Sequence, residues 1–378
     1  MKAKHLLTTL ALALTAALPA LASATTYPLT VTDIDQHQVT IEHEPQRIIL
    51  QDGRDILSLA LLDRDDPFKR VVAWNNLPKK QDSETWDLLR KKWPEAEKIL
   101  DMGFSDQGEV NLETVIARHP DLMIAQLRAK PALEQTGVLR QLAALKIPVL
   151  FVDDELHAVK DTAASIRLLG KVLNREANAN AYADYYGQHL QRITQTAEQA
   201  SKKPLVFIEP IAGITEDACC FTHSHSGWGG LVEAAGGKNI GSELLPGAVG
   251  FISPEKIISL NPDFYIMTGS KRGGKGSGVL PFGYNTDNSA IKATFERLSQ
   301  RNGVKEIPAV KQGHVFGLYH HFYNHPYNIV GLELLSKAFY PQQMADVDPL
   351  ADYHYIIRTF THLPDAPINL SYSVASKP

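Results

Sequence analysis

The sequence predicts an α/β protein of two lobes, each with a central, mainly parallel sheet flanked by helices, the lobes being joined by long helices. Three observations carry this expectation. Residues 113–124 (Glu-Thr-Val-Ile-Ala-Arg-His-Pro-Asp-Leu-Met-Ile) and 255–266 (Glu-Lys-Ile-Ile-Ser-Leu-Asn-Pro-Asp-Phe-Tyr-Ile) share one ungapped pattern at an offset of 142 residues. Apolar strand-like runs alternate with helical stretches in both halves, an order that yields parallel sheets with ligand contacts at the carboxyl ends of the strands. Between Ala158 and about Ala200 only Gly170 and Gly187 interrupt a helical repeat that includes Ile166, Leu169, Val172 and Leu173.

The chain opens with Lys2 and Lys4, an apolar run from Leu6 to Leu21, and the small residues Ala22-Ser23-Ala24. This is the layout of a secretory signal peptide over residues 1–24. Pro19 interrupts the run, and a membrane span needs roughly 20 apolar residues. No cysteine stands near the cleavage point, so an exported, monomeric periplasmic protein without a lipid anchor is expected. Loss of the two lysines moves the formal charge from −4 to −6, which argues against nucleic acid or an anionic membrane as partner. The remaining chain of about 350 residues exceeds what one core usually serves.

Residues 25–156 form the expected first lobe. Tyr27–Glu42 alternates as an edge hairpin; Arg47–Gln51, Val71–Trp74, Leu122–Ala125 and Val149–Val152 read as core strands, with helices over Ser83–Lys92 and Thr136–Leu145. Linking helices fill 157–203, and 204–366 form the second lobe, with strands at Leu205–Ile208, Phe264–Met267 and Val315–Leu318. Helices are expected around Gly229–Ala235 and Ile291–Ser299, and 367–378 read as a tail. Each copy of the repeated phrase starts with cap chemistry, Asn111 before Glu113 and Ser253-Pro254 before Glu255. Each then meets x-Pro, which stops the helix, and passes into an apolar run fit for a buried parallel strand. The Gly273–Gly278 loop lacks a following Gly-Lys-Ser/Thr, so it is no phosphate loop.

Residues just past the strand ends should face the space between the lobes. In the first lobe these are Asp52, Arg54, Trp74, Asn75, Gln126 and Arg128; in the second they are Glu216–Trp228, Lys271, Arg272 and Tyr319–Tyr327. Five of the 14 histidines fall here: His223 and His225 near Trp228, and His320, His321 and His325 around Tyr323. They suit either direct metal ligation or an aromatic, hydrogen-bonding wall for a large ligand. Arg54, Arg128, Arg272 and Lys271 offer cations to an anionic ligand, the arginine fork matching carboxylate or catecholate oxygens. Glu113 and Glu255 sit where a helix dipole already favours an acid, yet their repetition in both lobes points to a shared role. Cys219 and Cys220 are the only cysteines. A bridge between neighbours is strained, and in an oxidising compartment it competes with two free thiols; a turn beside the site and a local loop staple are both open readings. No dinucleotide fingerprint, H-E-x-x-H or G-x-S-x-G occurs.

With these residues in view, the chain resembles the cobalamin and iron-siderophore class of periplasmic substrate-binding proteins that serve ABC importers. The likeness runs from Pro45-Gln-Arg-Ile-Ile through Asn111-Leu-Glu113 and Gly230-Leu-Val-Glu-Ala-Ala-Gly-Gly-Lys-Asn-Ile240 to Pro326-Tyr-Asn-Ile-Val330. It implies two lobes on one rigid linker helix, ligand in the cleft, and Glu113 and Glu255 docking onto the transmembrane permease, with a cytoplasmic ATPase behind it. It also implies that the Tyr319–Pro326 loop and the loop around Cys219–Trp228 touch ligand. The wording near Tyr323 is closest to the iron-siderophore members, so the expected cargo is an Fe(III) chelate, with no cofactor and no catalysis. Gln51-Asp-Gly-Arg-Asp55 and the histidine load depart from the common pattern. The alternatives are a carrier of haem, cobalamin or a metal ion held by His223, His225, His320, His321 and His325. A metallo-hydrolase on the same histidines would need Glu209, Glu216 or Asp217 as its base.

Overall fold

The computed structural model of the chain describes residues 25–102, 112–215, 219–271 and 278–373. The expected signal peptide, Asn111, Glu216, Asp217, Arg272 and most of the glycine-rich loop lie outside these residues. The first half starts with an antiparallel hairpin, β1 (Leu29–Thr32) and β2 (Gln38–Ile41). Then follow β3 (Ile48–Leu50), α1 (Ile56–Leu62), β4 (Val71–Trp74), α2 (Leu77–Gln81), α3 (Ser83–Lys92), β5 (Leu100–Asp101), α4 (Leu112–Ile116) and β6 (Leu122–Gln126). After these come α5 (Lys130–Gln135), α6 (Val138–Ala144) and β7 (Val149–Val152). The five strands form one parallel sheet in the order β5-β4-β3-β6-β7. Chain order reverses between β3 and β6, the place where open α/β sheets bind ligands. The helix predicted over Thr136–Leu145 is α6, which starts two residues later because Gly137, at φ +75°, separates it from α5.

Two helices, α7 (Ala158–Val172) and α8 (Glu176–Gln199), lead to the second half. Their buried faces carry Ile166, Leu169, Val172, Tyr182, Tyr186 and Ile193. The second half contains β8 (Leu205–Glu209), β9 (Phe221–His223), α9 (Gly227–Ala234), β10 (Lys238–Asn239), α10 (Ile240–Leu244), β11 (Val249–Phe251), α11 (Pro254–Leu260) and β12 (Phe264–Gly269). It continues with β13 (Gly283–Tyr284), α12 (Asn288–Ser299), α13 (Pro308–Lys311), β14 (Val315–Tyr319), α14 (Asn328–Phe339), α15 (Pro349–Phe360), β15 (Ile368–Asn369) and β16 (Ser371–Ser373). Its sheet runs β10-β8-β12-β14-β16, parallel except for the last strand. Residues read as a tail therefore close the sheet edge: Ser371–Ser373 pair antiparallel with β14.

The repeated phrase folds the same way twice. Each copy is a short helix, a residue in the left-handed region, then Pro-Asp and a central strand. His119 has φ 49° and Asn261 has φ 52° at matched positions, ending α4 and α11. The next acid ties down the neighbouring strand in both lobes. Asp121 accepts from the backbone N–H of Gln46 (2.8 Å) and Arg47 (3.0 Å), while Asp263 accepts from that of Leu205 (2.8 Å). The side chain of Ser253 caps α11 by accepting from the Lys256 N–H at 3.3 Å.

Candidate functional site

The ends of β3, β6 and β7 build one wall of the seam between the sheets. Past β3 the chain makes a single tight turn, residues 53–55, which Asp52 caps by accepting from the Arg54 N–H at 2.9 Å. The same carboxylate takes the Arg54 guanidinium through Nε (2.9 Å) and Nη2 (2.5 Å), and Arg128 from the end of β6 through Nη2 (2.6 Å). Glu155, past β7, holds Arg128 from the other side, with Oε2 2.9 Å from Nε. Asp52 is 1 % exposed and Arg54 8 %. Burial alone would raise the Asp52 pKa, but the two guanidinium groups outweigh it and hold the carboxyl below its usual range. Asp55, beside it, is pushed up to about 8 by burial and by the Asp52 charge.

The opposing wall comes from the second half. Tyr323 and Asn324 lie in the single-turn helix over His320–Asn324 that follows β14. With its amide oriented by the surrounding donors, Asn324 accepts from Arg54 and from the Tyr323 hydroxyl (2.8 Å) and donates to the His321 carbonyl (3.1 Å). Burial pushes the Tyr323 pKa up to about 12. His223, at the end of β9, packs its ring 5.4 Å from that of Tyr323. Its Nδ1 accepts from the Trp228 N–H at 3.3 Å, and burial pushes its pKa down to about 4. Gly227 makes this turn possible: it has φ +53°, and a Cβ there would lie 2.6 Å from His223 Nδ1. Its N–H donates to the Glu155 carbonyl at 2.9 Å, joining the two walls.

A second set of contacts crosses the seam at α2 and α3. The Gln81 carbonyl accepts from Ser270 (3.3 Å) and lies 3.2 Å from His321 Nε2. The Tyr319 hydroxyl donates to Asp82, and Lys271 pairs with Glu84 at 2.6 Å. Among the described residues, three voids of about 10 Å³ each lie along the seam. Two larger hollows lie elsewhere, one of about 900 Å³ against β2 and β7 and one of about 480 Å³ under β16.

Strand-end reasoning placed Asp52, Arg54, Arg128, His223, His320, His321 and Tyr323 together, and the structure brings them to one seam. Other expectations are corrected. Trp74 is fully buried between Phe68 and Trp86, with ring centroids 5.5 and 5.6 Å away, so it is core and not cleft wall. Asn75 is buried beneath Gly53 and accepts from Lys80 at 3.2 Å. Trp228 is also fully buried, its indole donating to the His320 carbonyl at 3.0 Å, so neither tryptophan faces the cleft. His225 is exposed and lies 3.2 Å from Glu233, away from the other histidines. Lys271 is half-exposed and bound to Glu84; Arg272 is outside the described residues.

The metal candidates do not assemble. The His320 Nδ1 lies 2.8 Å from the Thr268 hydroxyl, and the His325 Nδ1 accepts from the Tyr327 N–H at 3.1 Å. Among the described residues, the five histidines do not place three metal-capable donors within 4.8 Å of one another. Glu209, offered as a hydrolase base, is buried and held by Arg301 (2.8 and 2.6 Å) and Tyr265 (2.6 Å). Sequence reasoning missed Glu155 and Gln81, and reached Asn324 only as part of the Tyr319–Tyr327 loop. The acidic run Asp153-Asp154-Glu155 at the end of β7 was the available signal for the first. Cys219 and Cys220 are joined by a disulfide beside the start of β9.

Two five-stranded, mainly parallel sheets, joined through long helices and meeting at their strand ends, define a two-lobed solute-binding protein. The chain belongs to the periplasmic binding protein family, matched over residues 57–320, and is a substrate-binding protein of an ABC transporter, not an enzyme. It is 25 % identical over 323 residues to the uncharacterized ABC transporter substrate-binding lipoprotein YvrC of Bacillus subtilis (strain 168), covering 83 % of this chain and 86 % of the relative. It is 30 % identical over 206 residues to the vitamin B12-binding protein of Pectobacterium carotovorum subsp. carotovorum (strain PC1), covering 53 % of this chain and 63 % of that protein. Among solved structures, the TroA-like periplasmic binding protein FepB from Veillonella parvula shares the fold with a TM-score of 0.83 at 22 % identity, over 92 % of this chain and all of that one. Among the described residues no helix is long and apolar enough to cross a membrane.

Proposed function

We propose that the protein is exported to the periplasm, captures a ferric siderophore or similar Fe(III) chelate between its lobes, and delivers it to an ABC import permease. One observation carries the choice of cargo. Arg54 and Arg128 converge at the strand ends of one lobe, facing Tyr323 and Asn324 of the other. Guanidinium forks suit the anionic oxygens of a chelate, and the ligand oxygens would take over donors now directed at Asp52 and Glu155. The histidines speak against a bare ion, because His320, His321 and His325 each have hydrogen-bond partners within the protein.

The test is calorimetric titration of the mature protein with ferric siderophores of catecholate, hydroxamate and carboxylate type, haem, cobalamin and free metal ions. Tryptophan quenching is the poorer readout, because Trp74 and Trp228 are core residues. A ferric chelate should bind, and Arg128→Ala should weaken it by about 1.5–3 kcal/mol, the worth of a hydrogen bond to a charged group. Affinity should change little from about pH 7 to about pH 5, whereas a histidine-held ion would be lost over that range. Binding of cobalamin or a free ion, with no response to any chelate, would replace this reading.

A further inference from the structure

Away from the seam, three helices meet at one polar cluster. His189 of α8, Glu333 of α14 and Asp352 of α15 each bring a donor atom within 4.8 Å of the other two. Glu333 is 2 % exposed. Its Oε1 lies 2.5 Å from His189 Nδ1, and its Oε2 has no hydrogen-bond partner. Buried carboxylate oxygens are normally satisfied, and this one faces a second carboxylate, Asp352. Arg192, the nearest guanidinium on α8, is turned to Asp346. Tyr185, one turn before His189, packs its ring against the imidazole, with centroids 4.1 Å apart and planes tilted by 38°.

We propose that His189, Glu333 and Asp352 bind one divalent transition-metal cation, of the Zn²⁺ class, which clamps α8 to α14 and α15. One imidazole nitrogen with two carboxylates is a donor set for zinc and its neighbours, whereas Mg²⁺ and Ca²⁺ favour all-oxygen sites. The two acids supply the charge that balances the ion. His189, 26 % exposed, leaves a side open to solvent for the remaining ligands. His189 Nδ1 and Glu333 Oε1, the two atoms in contact, are ones that would share the cation. A second cluster of similar composition, Asp153, His157 and Asp161, has a different explanation. Asp153 already accepts from the backbone N–H groups of Glu155, Leu156 and His157 at 2.7–3.0 Å, so its carboxylate is taken up by the turn that leads into α7.

The experiment uses the mature chain, stripped with chelator and titrated with ZnCl₂ by calorimetry, with Co²⁺ absorption as a second probe and thermal unfolding as a third. The expected result is one Zn²⁺ equivalent, a raised unfolding midpoint, and loss of affinity by roughly tenfold or more in both His189→Ala and Asp352→Asn. Asp352 is part-exposed, so its amide variant tests the site even if the histidine variant folds poorly. His157→Ala should leave the titration unchanged. Absence of saturable Zn²⁺ binding, or binding equal to wild type in Asp352→Asn, overturns the proposal. Neither outcome bears on the cleft, whose chelate affinity should be the same in all three variants.

Discussion

Asp55 shows how far the seam departs from ordinary surface chemistry. Its Oδ1 accepts from Gln126 at 2.6 Å, its Oδ2 has no hydrogen-bond partner, and its pKa rises to about 8 through burial and the Asp52 charge. A carboxyl whose pKa is higher folded than unfolded keeps its proton in the native state while the unfolded chain has lost it. Between about pH 4 and about pH 8 stability therefore falls as pH rises. Asp55→Asn, which cannot ionise, should be more stable than wild type near pH 8 by an amount on the order of a few kcal/mol, with the advantage vanishing near pH 4. Urea midpoints of both proteins across that range are the check, and equal pH slopes would show that Asp55 ionises normally. His223 works in the opposite direction. With its pKa pushed down to about 4, it stays neutral when folded, and its contribution is lost as pH falls from about 6.5 towards 4. At this scale the sequence revealed which residues end strands, and so found Asp52, Arg54, Arg128 and Tyr323. It did not show which face each side chain takes. Trp74 ends a strand too, but it points into the sheet's packing layer.

Among the elements, α2 and α3 form a strap across the seam. Asp82 caps α3 by accepting from the Thr85 N–H at 3.4 Å and accepts from Tyr319 of the other lobe, so one residue serves the helix and the closure. A ligand larger than the small voids must part this strap. Its two kinds of contact should matter unequally. The half-exposed Lys271–Glu84 pair is screened and worth about 0–1 kcal/mol. Removing the buried Tyr319 hydroxyl leaves the Asp82 carboxylate short of a donor, at a cost of about 1–3 kcal/mol. Stopped-flow dissociation of bound ligand should therefore speed up clearly in Tyr319→Phe and little in Lys271→Ala; the reverse order would refute the strap. Long periodic elements such as α7 and α8 were legible in the sequence. The helix over Thr136–Leu145 was legible as α6, but the short α5 before Gly137 went unread, and the two- and three-residue strands β10, β13 and β16 carry too few side chains for a period to show. Ser371-Tyr372-Ser373 could be assigned to the sheet only through its pairing with β14.

For the molecule as a whole, the internal repeat turns a local motif into a prediction about docking. Glu113 and Glu255 are both exposed, each in the first turn of a short helix, and each nine residues ahead of a central parallel strand. A helix that crosses back to start a parallel strand begins at the edge where the strands end. Both acids therefore lie on the rims that border the seam, one on each lobe. The matched left-handed residues His119 and Asn261, and the matched strand clamps Asp121 and Asp263, fix the two helices in equivalent registers. We expect each glutamate to pair with a cation of the permease. A single exposed pair is worth about 0–1 kcal/mol, so either Glu113→Ala or Glu255→Ala alone should lower uptake by no more than about fivefold. The double variant loses register as well as attraction and should lower uptake by an order of magnitude or more. Its calorimetric affinity for ligand should match wild type, since neither side chain reaches the seam contacts. Full transport by the double variant would remove the two-point docking model, and a parallel loss of ligand affinity would relocate these acids from the permease interface to the cleft.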